Sequence, residues 1–123
     1  MTQERRSLGH RGEELAVSKL KELKYRILER NYRCALGEID IIAREKEVLV
    51  FVEVKTRRSQ KFGHPADALH EDKQRKLSKV ALTYLNQKKL SDIPARFDVV
   101  VVEFFSPSPQ ITLIRNAFDL ITG

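Results

Sequence analysis

The stretch GEIDIIAREKEVLVFVEVKTRR, residues 37–58, contains two apolar runs separated by the charged segment Arg44–Glu47. Two such runs around a polar break predict a β-hairpin, with strands at residues 38–43 and 48–56. The break lacks the Asn-Gly or Asp-Gly pair that fixes a tight turn. Our prediction for the register therefore places the tip at Glu45-Lys46.

Charged residues interrupt both predicted strands. With this tip, Asp40 would lie opposite Phe51, and Glu38 would lie opposite Glu53. Because side chains alternate between the two faces of a strand, four charged residues would then share one face: Glu38, Asp40, Glu53 and Lys55. A slip of the pairing by one residue would move Asp40 to the other face and separate the group.

The clustered carboxylates have two interpretations. One is a sheet with a solvated polar face, on which ion pairs are common and weak. Against it, Leu49 and Phe51 lie on the same face as Glu53, so that face is not uniformly polar. Two like charges about 4 Å apart repel by roughly 4 kcal/mol at an effective dielectric constant near 20. A divalent cation would relieve that repulsion, and this is the interpretation we favour.

The donor types indicate which cation and which chemistry. Oxygen ligands without a Cys set or a His pair favour Mg²⁺ or Mn²⁺ over zinc. Asp40 and Glu53 are the candidate ligands, together with the main-chain carbonyl of Val54. Lys55, on the same face as Glu53, is placed to activate or hold a water molecule. This combination is typical of phosphodiester hydrolysis by metal-activated water.

The remaining chain predicts two helices and three more strands. Apolar spacing predicts one helix from a cap at Ser7 to about residue 24, and another over residues 66–87. Strand-like segments follow at residues 25–33, 96–104 and 111–114, and the middle one is apolar on both faces, as in an interior strand. We therefore expect one α/β domain over residues 1–123, with a mixed sheet of about five strands.

The first predicted helix places one carboxylate on its apolar stripe. Glu13 shares the stripe with Ala16 and Leu20, whereas Glu14 belongs to the polar face. An acid on an apolar face needs a partner, which is either a cation such as Arg11 or the metal at the sheet. We predict that Glu13 is a third acidic residue of the site.

The composition restricts partner and compartment. The 23 Lys and Arg residues exceed the 17 Asp and Glu residues, and the net charge of +6 favours nucleic acid as a partner. Cys34 is the only cysteine, which excludes an intramolecular disulfide and a thiolate zinc site. No signal peptide and no membrane span is recognisable. These features predict a cytoplasmic protein without membrane association.

Basic residues flank the predicted site on both sides. They are the candidate phosphate contacts: Arg57, Arg58, Lys61, Lys73, Arg75 and Lys76. The last three belong to the second predicted helix, whose periodicity spreads them over several faces. Only part of that set can therefore touch one duplex.

Several motifs occur in an order that resembles a known family. An acid on one strand followed by Glu-x-Lys on the next resembles the PD-(D/E)xK nuclease superfamily. The full set is similar to the bacterial YraN family, which is related to archaeal Holliday junction resolvases: GEELA at 12–16, RNYR at 30–33, GEIDIIAR at 37–44, VFVEVKTR at 50–57, KQRKL at 73–77, RFD at 96–98 and NAF at 116–118. Ile39 replaces the superfamily proline, which leaves the following carboxylate in place.

The resemblance implies a restriction-endonuclease-like fold, in the order α-β-β-β-α-β-β, and an Mg²⁺-dependent endonuclease for which Mn²⁺ can substitute. It implies Asp40, Glu53 and Glu13 as metal residues, and Lys55 and Gln74 as further catalytic residues. DNA ranks ahead of RNA as substrate, with branched DNA as one candidate. The alternative is a non-catalytic nucleic-acid-binding module with the same fold. Cutting both strands of a junction would suit a homodimer.

Overall fold

The computed structural model describes residues 3–58, 69–90, 92–105 and 107–120, with side chains described from Ser7 onward. Within these ranges the chain forms helices α1 (Gln3–Glu22) and α2 (Glu71–Lys88), and strands β1 (Arg26–Cys34), β2 (Gly37–Glu45), β3 (Val48–Arg57), β4 (Ala95–Glu103) and β5 (Gln110–Phe118). This confirms the predicted mixed α/β class and the order α-β-β-β-α-β-β.

The five strands form one open sheet in the order β1-β2-β3-β4-β5. Strands β3 and β4 are parallel, and the other three neighbouring pairs are antiparallel. The parallel pair follows from the chain path, because the segment between these strands contains α2 and parallel strands need a crossover of this length. Neither helix in the described ranges has the length and apolar content that crossing a bilayer requires.

Two hydrophobic cores lie on opposite faces of the sheet. Val50 and Val52 of β3 pack with α1, on what we call the α1 face. Leu49 and Phe51 of the same strand pack with α2, on the α2 face. Because β3 contributes to both cores, its side chains are directed alternately toward the two helices. The interior position predicted for β4 is confirmed, since the side chains of residues 97–102 are all buried.

The hairpin register differs from the predicted one, because the partner of each β2 residue on β3 is displaced by two positions. Ile42 pairs with Phe51 and Glu45 pairs with Val48, so the turn is Lys46-Glu47. Lys46 has a φ of 54°, the left-handed conformation that glycine usually supplies. The predicted partner Phe51 for Asp40 is therefore wrong. Continuing the observed pairs places Asp40 opposite Glu53, and because the partner moves by two residues its face is unchanged.

Three element boundaries also differ from the prediction. Ser7 does not cap α1, which begins at Gln3 because the preceding Gln, Glu and Arg residues favour helix. Helix α2 begins at Glu71, after an extended His70, and the predicted start at Ala66 lies outside the described residues. Strand β5 continues to Phe118, past a left-handed Asn116, where pairing with β4 shifts register.

Candidate functional site

Asp40 lies where strand β2 separates from β3. The ladder between the strands ends at the Ile41–Val52 pair. In a regular continuation, the N–H of Val54 would donate to the main-chain carbonyl of Ile39. It donates instead to Oδ2 of Asp40, at 2.8 Å. The carboxylate thus replaces a ladder carbonyl and is held at the opening between the two strands.

The side-chain alternation of both neighbouring strands breaks at this opening. Ile39 packs on the α2 face, whereas Ile41, two residues later, packs on the α1 face. On β1, Tyr32 belongs to the α2 face, but Arg30 bonds to Glu14 of α1. A left-handed Asn31 between them, with a φ of 54°, permits this reversal. The opening is therefore accessible to residues from both faces.

Glu53 meets Asp40 across the opening, and we call these two residues the carboxylate pair. The side chain of Glu53 is only 12% exposed. Burial above all, and then the hydrogen bond with Asp40 and its charge, raises the pKa of Glu53 to about 8. A nearby Lys73 opposes this shift. The carboxylate pair therefore carries more negative charge than its surroundings compensate, and Lys73 offsets only part of it.

Glu13 approaches Asp40 from α1. Burial, followed by the charge of Asp40, raises the pKa of Glu13, and Arg30 and His10 partly offset the shift. The adjacent Glu14 is exposed and accepts a 2.7 Å bond from Arg30, which lowers its pKa. The prediction that these neighbouring carboxylates differ in environment is confirmed. Arg30 and His10, rather than Arg11, are the cations near Glu13.

The position of Glu13 depends on a close approach of α1 to β3. A Cβ atom on the preceding residue, Gly12, would overlap Oγ1 of Thr56. Only glycine allows the helix axis to come this near to the strand without displacing that side chain. The glycine of the GEELA motif therefore brings Glu13 to the sheet, which the sequence analysis did not recognise.

Lys55 and Gln74 are the two other residues with a predicted catalytic role. Lys55 is exposed and, by alternation along β3, shares the α2 face with Glu53. The side-chain nitrogen of Gln74 donates to the main-chain carbonyl of Leu69, at 3.1 Å. This bond holds the amide at the start of α2. Its predicted catalytic role remains a prediction.

The predicted phosphate contacts separate into three groups. Arg57 has a side chain only 9% exposed, and its Nη1 lies 3.7 Å from Oε2 of Glu103 on β4. Lys61 lies outside the described residues. Four others are exposed, on α2 or directly after β3: Arg58, Lys73, Arg75 and Lys76. Arg57 is therefore the least available of the described candidates for a ligand.

Glu38 and Lys73 have contacts that the sequence analysis did not predict. Glu38 was expected opposite Glu53, but this is wrong, because the register of β2 with β3 ends at Ile41–Val52 and its continuation puts Asp40 opposite Glu53. Glu38 instead accepts a 2.9 Å bond from Nε of Arg33 on β1. Lys73 was expected to contact phosphate, yet its Nζ lies 3.4 Å from Oε2 of Glu53. The sequence carries no local signal for this second contact, because it joins a helix to a strand.

A second charged cluster, which we call the Arg96 network, lies elsewhere on the sheet. Asp98 is fully buried and accepts hydrogen bonds from Tyr25, at 2.7 Å, and from Arg96 Nε, at 2.9 Å. Glu45 accepts bonds from Arg96 and Arg115, both at 2.6 Å. Burial and the bond to Asp98 raise the pKa of Tyr25 to about 12. The motif RFD was recognised in the sequence, but this network was not.

The carboxylate pair fits a hard divalent cation by its donor chemistry. Both ligands are oxygen donors, and the raised pKa of Glu53 indicates that Lys73 alone supplies too little positive charge for the pair. In the part of the chain that the structure describes, no three His, Cys, Asp or Glu side chains converge as a ready set of metal ligands. Mg²⁺ commonly takes one or two carboxylates and completes its shell with water, so a pair suffices.

The fold and the site together define a small mixed α/β protein with a half-buried acidic pair on adjacent strands. The family model for the uncharacterised protein family UPF0102 matches residues 12–102, so the chain belongs to that family. This confirms the YraN-like resemblance at the level of the family.

Relatives in this family match nearly the whole chain. A UPF0102 protein of Syntrophus aciditrophicus is 52% identical over 123 residues, covering 100% of this chain and 96% of the relative. A UPF0102 protein of Geobacter sulfurreducens is 52% identical over 114 residues, covering 92% of this chain and 89% of the relative. A UPF0102 protein of Caldicellulosiruptor saccharolyticus is 51% identical over 116 residues, covering 93% of this chain and 98% of the relative. The similarity therefore includes both helices and the whole sheet.

Proposed function

We propose that this protein is a metal-dependent nuclease of the PD-(D/E)xK type that hydrolyses phosphodiester bonds in DNA, with branched DNA as one candidate substrate. The observation that carries the proposal is the carboxylate pair. Asp40 is held in place by a main-chain N–H, and Glu53 is almost withdrawn from water beside it. Such an arrangement is costly for folding and is useful when a cation binds.

The strand positions support the superfamily assignment within this proposal. Asp40 lies on β2, and the Glu-Val-Lys segment at residues 53–55 lies on the adjacent β3. Both helices flank the sheet, one on each face. This matches the helix, sheet and second helix that the resemblance implies.

The chain's own residues would divide the work as follows. Asp40 and Glu53 would hold Mg²⁺ or Mn²⁺, which when bound supplies a Lewis acid for a phosphate oxygen and activates water. Exposed Lys55, on the face of Glu53, would orient the attacking water or stabilise charge on the phosphate. Glu13, whose pKa the charge of Asp40 raises, would add negative charge to the site and help retain the cation.

Nucleic acid fits the charge of the surface around the pair. The net charge is +6, although the site itself is acidic. Exposed Arg58 directly follows β3, which carries Glu53, and exposed Lys76 lies on α2, which carries Lys73. Lys and Arg at such positions attract phosphate at long range and orient it over the site. A homodimer would allow two such sites to act on a junction.

Cleavage assays test the proposal directly. Duplex, single-stranded and four-way-junction DNA, and RNA, would each be incubated with Mn²⁺ and with wild type, Glu53→Ala or Lys55→Ala protein. We expect wild type to cut DNA and both variants to lose most of that activity. Equal activity in all three proteins would indicate a contaminating nuclease. Binding without any cleavage would favour the non-catalytic nucleic-acid-binding module.

A further inference from the structure

The ammonium group of Lys73 links α2 to the carboxylate pair. Its Nζ lies 3.4 Å from Oε2 of Glu53, within ion-pair distance. The sequence pattern assigns Lys55 to the chemistry of the site and Lys73 to phosphate contact. In the structure, a lysine from a separate element supplies positive charge to the buried acid.

The side chains of the two partners in this ion pair differ in conformational freedom. Glu53 is anchored on β3 and is 12% exposed, so its carboxylate has few alternative positions. The Lys73 side chain is 50% exposed and lies in the first turn of α2. A lysine stem has four rotatable bonds, so the ammonium can leave Glu53 without displacing the helix. Lys73 is therefore the partner that can move.

We propose that Lys73 is a built-in counter-ion, which offsets the negative charge of the carboxylate pair in the cation-free protein and turns to substrate phosphate when a divalent cation binds. This inference rests on the proposed function. The cation and the ammonium compete because both need the same carboxylate. Once released, the ammonium remains beside the site, where phosphate oxygens are its strongest available acceptors. Cation binding and nucleic-acid binding then strengthen each other, by the same factor in both directions.

Cation affinity without nucleic acid is the first test. Mn²⁺ would be titrated into wild type, Lys73→Met and Lys88→Met proteins. Lys88 provides a matched loss of charge, because it is exposed on the same helix fifteen residues away, about 22 Å along the axis. We expect Lys73→Met to bind Mn²⁺ about two- to fivefold more tightly than wild type. Lys88→Met should match wild type.

The outcomes of this titration separate the two proposals. Equal or weaker Mn²⁺ binding by Lys73→Met would overturn the role of Lys73 and leave the proposed function standing. Equal tightening in both variants would also overturn it, because net charge alone would then explain the result. Absence of Mn²⁺ binding in all three proteins would overturn the proposed function, and this inference with it.

Nucleic-acid affinity provides the second test. A fluorescent DNA duplex would be bound with and without Ca²⁺, which takes oxygen ligands as Mg²⁺ does. We expect the cation to raise the affinity of wild type and Lys88→Met more than that of Lys73→Met. An equal gain in all three proteins would contradict the release of Lys73 to phosphate.

Discussion

Two aspartates of this sheet make the same unusual contact in opposite electrostatic surroundings. Asp40 accepts the N–H of Val54 where β2 leaves β3. Asp98 accepts the N–H of Asn116, at 2.9 Å, where the pairing of β4 with β5 shifts. In both places a carboxylate takes a main-chain donor at an irregularity of the ladder. The main-chain contact is the same at both aspartates, so they differ only in the other residues around them.

Those neighbours separate a structural cluster from a candidate functional one. Asp98 receives bonds from Arg96 and Tyr25, which compensate its complete burial. Asp40 instead meets a second acid, Glu53, whose pKa is raised. A buried charge with matched partners maintains the fold, whereas an acidic pair that one half-exposed lysine compensates only in part is available for a ligand. Charge compensation therefore distinguishes the Arg96 network from the carboxylate pair better than charge content does.

Removal of Arg96 should have the largest effect on this comparison. Arg96→Met would leave the buried Asp98 carboxylate without its cation and should lower the free energy of unfolding by about 3–5 kcal/mol. Urea denaturation measures the change. Arg115→Met is the control, because its side chain is 47% exposed and its loss should cost at most about 1 kcal/mol. Similar losses for both would mean that the network does not depend on burial.

Cation binding should stabilise the folded protein through the carboxylate pair and not through the Arg96 network. At a Mn²⁺ concentration of about 100 times the dissociation constant, we expect wild type to gain about 2.7 kcal/mol of unfolding free energy. Asp40→Asn should lose this gain, although its amide oxygen can still accept the Val54 N–H. Thermal denaturation with and without Mn²⁺ checks the difference. Retained stabilisation in Asp40→Asn would place the cation elsewhere.

The stability of the cation-free protein should fall with pH because of Glu53. Its folded pKa of about 8 exceeds its ordinary value of 4.5, so the folded protein binds this proton more tightly than the unfolded chain does. The resulting stability is complete below pH 4.5 and is lost as the pH rises through about 8. Glu53→Gln has no proton to lose at this position and should remove this decline. Parallel pH profiles of stability for the two proteins would show that the pKa of Glu53 is not raised in the folded protein.

The approach of α1 can be tested with two glycines of one helix. Gly12→Ala should lower stability by about 1 kcal/mol, because the overlap with Thr56 outweighs the better helix propensity of alanine. Gly9→Ala should instead raise it by up to about 1 kcal/mol, because a Cβ there would meet no described atom within 4 Å. Chemical denaturation measures both. Equal effects would argue against a close contact at Gly12.

The sequence predicted the elements and the faces well, but the partners poorly. Displacement of the hairpin tip by one position moves the partner of Asp40 from Phe51 to Glu53, and parity still puts Glu53 and Lys55 on one face of β3. The break of alternation between Ile39 and Ile41 was not predicted. The apolar segment of β4 was recognised as interior from its composition. By contrast, nothing in the sequence indicated that Arg57 would be buried against Glu103.

What the sequence by itself determined is therefore the order of the elements and the placement of Asp40 and Glu53 on neighbouring strands. Strand formation and alternation within a regular strand are local properties, because they depend on side-chain type and on the pleat of each strand. Only the tertiary structure decided which charges are compensated. Tyr25 and Asp98 are 73 residues apart along the chain, and Lys73 reaches Glu53 from a separate helix. Such contacts depend on how the elements pack, which no local pattern specifies.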